Sequence, residues 1–329
     1  MNPLELRLIN EHQRGFPLCH APFAEIARKF SMKEEGLLHK VAELIRRGLV
    51  SRVGPVFAPQ AVGASTLAAL EVPAQRVPEV AALVNRYPQV NHNYLREHRI
   101  NLWFVATAAD SQCLAQTLES IEAAAGCGAL LRCPLIEEYR IDLGFDLTGA
   151  PSYTEAATFV RRTLQLNEEE RRIVGALQNG LPIEAHPYER VAERAGLSEA
   201  TLLQKLRHWT GEGVIRRFGF VARHLELGYS ANAMVVWQVP ETQARHFGMR
   251  LAREEGVTLC YLRAAVPPRW PYNLYCMVHA QERATAEQCI ERITQRTGLL
   301  PYPRAVLFST ARYKQRGARY GGSMELAHV

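Results

Sequence analysis

Two short strings in this chain place chemically capable side chains at every second position. In the first, His92, Tyr94 and Arg96 alternate, and Asn101 and Trp103 follow after a turn. In the second, Tyr261 and Arg263 alternate, and Asn273, Tyr275, Met277 and His279 follow after a longer turn. A strand turns successive side chains to opposite faces, so residues two apart share a face. The intervening neighbours are apolar, Leu95, Leu102 and Phe104 in one string and Leu262, Leu274, Cys276 and Val278 in the other, and suit a face covered by helices. A sheet with one covered face usually shows water small polar residues on the other. Here that other face carries Tyr, Trp, Met, His and Arg together. Such a surface fits a domain interface. It also fits the wall of a cavity between two sheets, where flat aromatic walls suit a planar macrocycle and Arg96, Arg99 and Arg263 offer forked donors for carboxylates. His98, expected at a hairpin tip on the same side between Arg96 and Arg99, and His92 are the candidate proton donors, because histidine titrates near neutrality. Tyr94 and Tyr261 are placed to orient or relay. The insertion at 264–272, with Pro267, Pro268, Arg269, Trp270 and Pro271, suits either a stiff lid or an ordinary proline-rich surface turn.

The elements that must hold these strings occur twice. Leu37-Leu38, Gly48, Arg52, Gly54 and Gly63 recur at Leu202-Leu203, Gly213, Arg217, Gly219 and Gly228, all at an offset of 165. Tyr94-Leu95-Arg96 recurs as Tyr261-Leu262-Arg263, and Asn101-Leu102 as Asn273-Leu274. Offsets that grow only by loop-sized insertions mark a duplication. Each copy opens with a helix-turn-helix, with Ser31 and Ser198 as expected N-caps, followed by a short strand in the position of a wing. Each then reads β-α-β-β-α-β, the ferredoxin-like order. The predicted fold is α+β, a tandem of winged helix-turn-helix plus ferredoxin-like domains. The expected units are 1–62 and 168–227 for the helical domains, 63–147 and 228–320 for the sheet domains, a linker at 148–167 and a tail at 321–329.

Composition sets the outer bounds. At 329 residues, 47% hydrophobic and 22% charged, the chain is long enough for several ordinary globular cores. Its weakly polar stretch at 61–70 is too short and too polar to span a bilayer, and 1–15 has no apolar signal core. Seven cysteines without a CxxC pair point to reduced thiols in the cytoplasm and away from a zinc site. The net charge of +6 invites an anionic partner. Residues 1–60 carry nine Lys/Arg against six Glu, and 165–225 carry nine against eight, which is little for a DNA reader.

Winged helix-turn-helix followed by a ferredoxin-like domain is the layout of Lrp/AsnC transcription regulators, which the chain resembles along almost its whole length. A closer resemblance lies in the strings. His92-Asn93-Tyr94-x-Arg96-Glu97-His98-x-x-Asn101-Leu102-Trp103-Phe104 looks like the NirD-type half of the siroheme decarboxylases. Cys260-Tyr261-x-Arg263, Trp270-Pro271-Tyr272-Asn273-Leu274-Tyr275-Cys276-Met277-Val278-His279 and Phe308-Ser309-Thr310-x-Arg312-Tyr313-Lys314-Gln315-Arg316-Gly317 look like the NirL-type half. The resemblance implies a fused NirDL-type carboxy-lyase that removes carbon dioxide from two acetate side chains of siroheme, giving didecarboxysiroheme toward d1-type or ordinary heme.

On this reading His98, His92 and Tyr94 are catalytic. Arg96, Arg99, Trp103, Tyr261, Arg263, Trp270, Tyr275 and His279 bind the substrate between the sheet domains. No cofactor beyond the substrate's own iron is expected, and His98 or His92 is open as an axial ligand to it. The two copies form a pseudo-dimer within one chain, with a homodimer of chains left open and no membrane partner. The rival is a DNA-binding regulator of the Lrp/AsnC family. Lys33-Glu34-Glu35 at the start of the first reading helix argues against it, because acids stand where base edges would be met.

Overall fold

The structure, a computed structural model, describes residues 2–58, 61–141, 166–222, 231–318 and 320. The first repeat runs α1 (Pro3–His12), α2 (Pro22–Lys29), α3 (Glu34–Arg46), β1 (Val50–Phe57), β2 (Ala64–Leu70), α4 (Val77–Arg86), β3 (Val90–Arg96), β4 (Leu102–Ala108), α5 (Ser111–Ala125) and β5 (Leu131–Ile141). The second runs α6 (Glu168–Leu177), α7 (Pro187–Ala195), α8 (Glu199–Gly211), β6 (Ile215–Ala222), β7 (Ala231–Trp237), α9 (Glu241–Leu251), β8 (Val257–Arg263), β9 (Leu274–Ala280), α10 (Arg283–Thr297) and β10 (Arg304–Gln315). The architecture is α+β and duplicated. Most of the expected linker, the tail at 321–329 and Gly228 lie outside the described residues. No helix among the described residues is long and apolar enough to cross a membrane.

Ser198 caps α8 as expected, its side chain accepting from the Thr201 backbone N–H. Ser31 does not cap α3. It adopts a left-handed backbone at φ 53°, and Lys33 stands at the N-cap with no side-chain bond. The reason is the repeat register: Ser31 answers Gly196, which closes α7 at φ 69°, and Lys33 answers Ser198. The chain reversal demands a left-handed residue at that position whichever side chain is there.

The strand after each helix-turn-helix pairs with its counterpart in the other repeat. β1 and β6 form a two-stranded antiparallel ribbon with Gly54 opposite Gly219, which are repeat mates, so the approximate two-fold passes between them. A Cβ at Gly219 would strike the backbone of His12 and Gln13, so this close seat requires glycine. Phe16, Phe23, Tyr188, Phe218 and Phe220 meet in one core shared by both helical units.

The sheet domains also merge. Their strands close into one barrel in the order β10-β3-β4-β2-β5-β8-β9-β7. Two long strands do the joining. β5 pairs with β2 through residues 131–134 and with β8 from Leu135 on. β10 pairs with β7 through 304–308 and with β3 from Ser309 on. Helices cover the outside: Val77, Val80, Ala81 and Val84 of α4 fall at helical spacing and bury against Leu102 and Phe104. Inside, one end is filled by Trp103, Trp270, Tyr275, Met234, Leu131 and Leu307. The loop at 264–272 therefore acts as a plug, neither lid nor surface turn. Trp270 is fully buried, donates from Nε1 to the Tyr275 hydroxyl at 2.7 Å and lies 4.9 Å from the Trp103 ring. A buried indole needs such a partner, and the loop packs inward to give it one.

Candidate active site

Beyond the plug the barrel opens into a cavity of about 420 Å³, bounded at its other side by the β1–β6 ribbon and by the segment after β10. The face singled out from alternation is its wall. Tyr94 and Arg96 of β3 stand there with their repeat mates Tyr261 and Arg263 of β8, and Trp103 of β4 with its mate Tyr275 of β9. The Tyr275 hydroxyl is held in the plug, so its ring and not its oxygen faces the cavity. His92 and His279 complete the set, and here the repeats differ, because their mates are Leu259 and Thr107.

Three residues expected in the site are elsewhere. β3 ends at Arg96, and alternation carries no information past the end of a strand. His98 is exposed on the turn, its Nδ1 accepting from the Ile100 backbone N–H at 3.0 Å and its ring edge-on to Trp270. Arg99 is exposed and paired with Glu71 at 3.0 Å. Trp270 lies behind the wall, in the plug. Asn101 and Asn273, on the cavity-facing side by pattern, instead clamp backbone: each amide bridges the N–H and carbonyl of one residue, Val72 and Val239 respectively.

The electrostatics are one-sided. No Asp or Glu is among the described residues that line the cavity, whereas six arginines are: Arg52, Arg96, Arg216, Arg217, Arg263 and Arg316. Arg216 is paired with Glu138 at 2.6 Å. Arg96 and Arg263 make equivalent bonds, donating from Nη1 to the Leu307 carbonyl at 3.1 Å and the Cys133 carbonyl at 3.0 Å. Each guanidinium also lies against a tyrosine ring, at 5.5 Å from Tyr94 and 5.1 Å from Tyr261. Neither has a carboxylate partner among the described residues. Burial consequently pushes the Arg96 pKa down to about 10 and lowers that of Arg263. Uncompensated cations in a closed site favour a bound anion.

Burial likewise pushes His92 and His279 down to about 4, with the Arg96 cation contributing at His279. Both are neutral near pH 7. His279 Nδ1 is 2.9 Å from the Thr258 hydroxyl, which also reaches the Met277 carbonyl at 3.2 Å. His92 has no hydrogen-bond partner among the described residues and lies beside the Tyr94 ring at 6.2 Å and 12°. The cavity can thus seat a flat polyanion and offers an untethered imidazole to it.

The ribbon arginines were not found from sequence, because a strand after a helix-turn-helix reads as a wing pointing away. The available signal was the repeat itself, which matches Arg52 to Arg217.

Comparison with known proteins shows what the chain is similar to. The model of the AsnC-like ligand binding domain matches residues 61–140 and 226–314, and that of the siroheme decarboxylase NirDL-like HTH domain matches 5–50 and 170–216. The siroheme decarboxylase NirDL subunit of Paracoccus denitrificans (strain Pd 1222) is 41% identical over 318 residues, 97% of each chain. A crystal structure of the siroheme decarboxylase NirDL superposes with a TM-score of 0.72 at 29% identity, covering 97% of this chain and 94% of that one. A second, in co-complex with an iron-uroporphyrin III analogue, gives 0.69 at 28% identity, covering 96% and 93%.

Proposed function

The chain belongs to the siroheme decarboxylases of the fused NirDL type, and we propose that its cavity is where siroheme loses carbon dioxide from two acetate side chains to give didecarboxysiroheme. The observation that carries this is the basic cavity without an acid: Arg96 and Arg263, held at equivalent positions on the two halves, with no carboxylate partner among the described residues. A macrocycle that bears several carboxylates supplies those partners, and the rings of Tyr94, Tyr261 and Trp103 supply flat apolar contact.

In each step the bond between methylene and carboxylate breaks, carbon dioxide leaves, and the electron pair stays on the carbon. The iron-bearing macrocycle of the substrate delocalises that pair, and no further cofactor is invoked. One proton then closes the methyl group, so one proton is consumed per carbon dioxide released. His92 is the donor in this reading, since its ring has no hydrogen-bond partner among the described residues. His279, oriented by Thr258, contacts the substrate. The protein contributes position, water exclusion and the proton.

Anaerobic incubation with siroheme followed by mass spectrometry of the tetrapyrrole tests this directly. The product is expected to be lighter by two carbon dioxide units, and unchanged siroheme with folded protein in excess would count against the reading. The free thiols at all seven cysteines suit a reducing compartment such as the cytoplasm.

DNA regulation finds less support. Lys40 and Arg47, in and just after α3, are drawn back onto Glu5 and Glu43 at 2.8–3.5 Å, so their charge is spent inside the helical unit. In a gel shift with its own promoter at physiological salt, binding is expected to be no tighter than the nonspecific range of about 10⁻⁴–10⁻⁶ M. A nanomolar complex would restore the regulator.

A further inference from the structure

We propose that Arg52, on the β1 strand of the first helix-turn-helix unit, is a substrate-carboxylate clamp, so that the helical unit forms part of the binding site. The inference rests on the siroheme reading and adds a residue that the two hairpin strings do not contain. Arg52 lines the same cavity as Arg96 and Arg263, but from the ribbon side. Its Nη2 donates to the Pro55 carbonyl at 3.0 Å, its Nε is buried with no partner, and no carboxylate pairs with it among the described residues. Burial lowers its pKa, and the nearby Tyr320 opposes this. Its repeat mate Arg217 makes the matching bond to the carbonyl three residues on, that of Phe220, and in addition reaches the Gln13 carbonyl, which ties it to the first helical unit. The two-fold is thus broken by the Gln13 contact, although both arginines line the cavity.

The surroundings of Arg52 come from the far end of the chain. Gly317 passes so close that a Cβ there would lie 2.6 Å from the Arg52 Nη1. Tyr320 stands edge-on to Phe57 at 5.8 Å and also lines the cavity. Gly317 does not have a left-handed backbone, so its lack of a side chain serves space rather than conformation. That space is what the guanidinium occupies. A cation held at this depth without a counter-charge, beside a glycine that leaves it room, is a built anion position.

The probe is iron uroporphyrin, a polycarboxylate macrocycle, titrated into full-length protein by absorbance. Arg52→Ala is expected to raise its Kd about 10-fold or more, the usual scale for hydrogen bonds to a charged group. Arg52→Lys is expected to recover part of the loss, with a smaller salt dependence than wild type in the alanine variant only. Gly317→Ala tests the same point while keeping the arginine: the new methyl displaces the guanidinium, and Kd is expected to rise less than for Arg52→Ala. A wild-type Kd in both Arg52→Ala and Gly317→Ala, with matching circular dichroism, overturns the proposal. A lost Kd in Arg52→Ala together with a lost fold and a wild-type Kd in Gly317→Ala also overturns it, since Arg52 is then structural. Failure of the wild type to decarboxylate siroheme would instead remove the functional reading, and the uroporphyrin titrations would still decide whether Arg52 binds carboxylates.

Discussion

Replacing His92 with asparagine slows siroheme turnover by about 10²–10⁴-fold, the usual worth of a placed general acid, while macrocycle binding stays near wild type. His92 lies in the cavity wall, whereas His98 is on the outer turn with its ring bonded to local backbone. His98→Ala is therefore expected to turn over at close to the wild-type rate. The pH profile carries the sign. Burial holds His92 down to about 4. Bound carboxylates favour the imidazolium and raise that value. Turnover through the protonated ring then falls as pH rises through the raised value. Binding takes up a proton, so affinity also weakens as pH rises between about 4 and that value. For the unliganded protein the unfolded chain titrates at about 6.5 and the native site lower, so stability is lost as pH drops from about 6.5 toward 4. Stopped-flow turnover across pH checks the first claim. If His92→Asn instead loses the macrocycle and shifts the visible spectrum of bound iron, the ring is an axial ligand and the proton has another source. An unchanged rate removes His92 from the chemistry.

Removing the paired arginines of the barrel is expected to produce the largest loss of affinity. Arg96→Ala or Arg263→Ala each should cost about 1.5–3 kcal/mol of macrocycle binding, the range for hydrogen bonds to charged groups. That is about 10- to 150-fold in Kd. The two residues lie on separate strands with separate carbonyl partners, so the double variant should approach the sum, up to about 10⁴-fold. Part of each loss has a second source: the Leu307 and Cys133 carbonyls lose their donors, which also lowers stability. Lysine at the same position keeps the charge but not the fork, and is expected to recover binding only partly. Equilibrium titration at two salt concentrations separates the effects, because lost charge contacts flatten the salt dependence and lost packing does not. Wild-type affinity in both alanine variants would take the barrel arginines out of the site.

Much of this was readable from residues alone, for a physical reason. Period-two alternation is reliable where one face of a sheet is covered, so Leu102 and Phe104 went to the helices while Tyr94, Arg96 and Trp103 went to the cavity. The duplication was equally legible, since loop insertions leave offsets intact. Three features escaped. His98 was assigned by extending the alternation one step past Arg96, into a turn where side chains follow local hydrogen bonds. Trp270 was read as a substrate contact carried by a proline-rich insertion, but an indole that finds a hydroxyl partner packs inward. Arg52 was missed because β1 has its partner in β6, and a pairing between repeats leaves no local pattern. The Ser31 cap failed for a related reason: the position is set by the chain reversal that Gly196 makes in the other copy.

The pairing of β10 with β3 also bears on how the protein is made. His92 meets Gln315 in register, a partner more than 200 positions later in the chain. As the nascent chain leaves the ribosome, β3 and β5 are therefore open edges, and the strand carrying His92, Tyr94 and Arg96 is supported on one side only. Pairings so distant in sequence form late, after the cost of closing the intervening chain has been met. A chain stalled after its first half has the aromatic and cationic residues of one wall but no enclosed volume. The enclosed cavity therefore exists only once the second copy has been synthesised and docked.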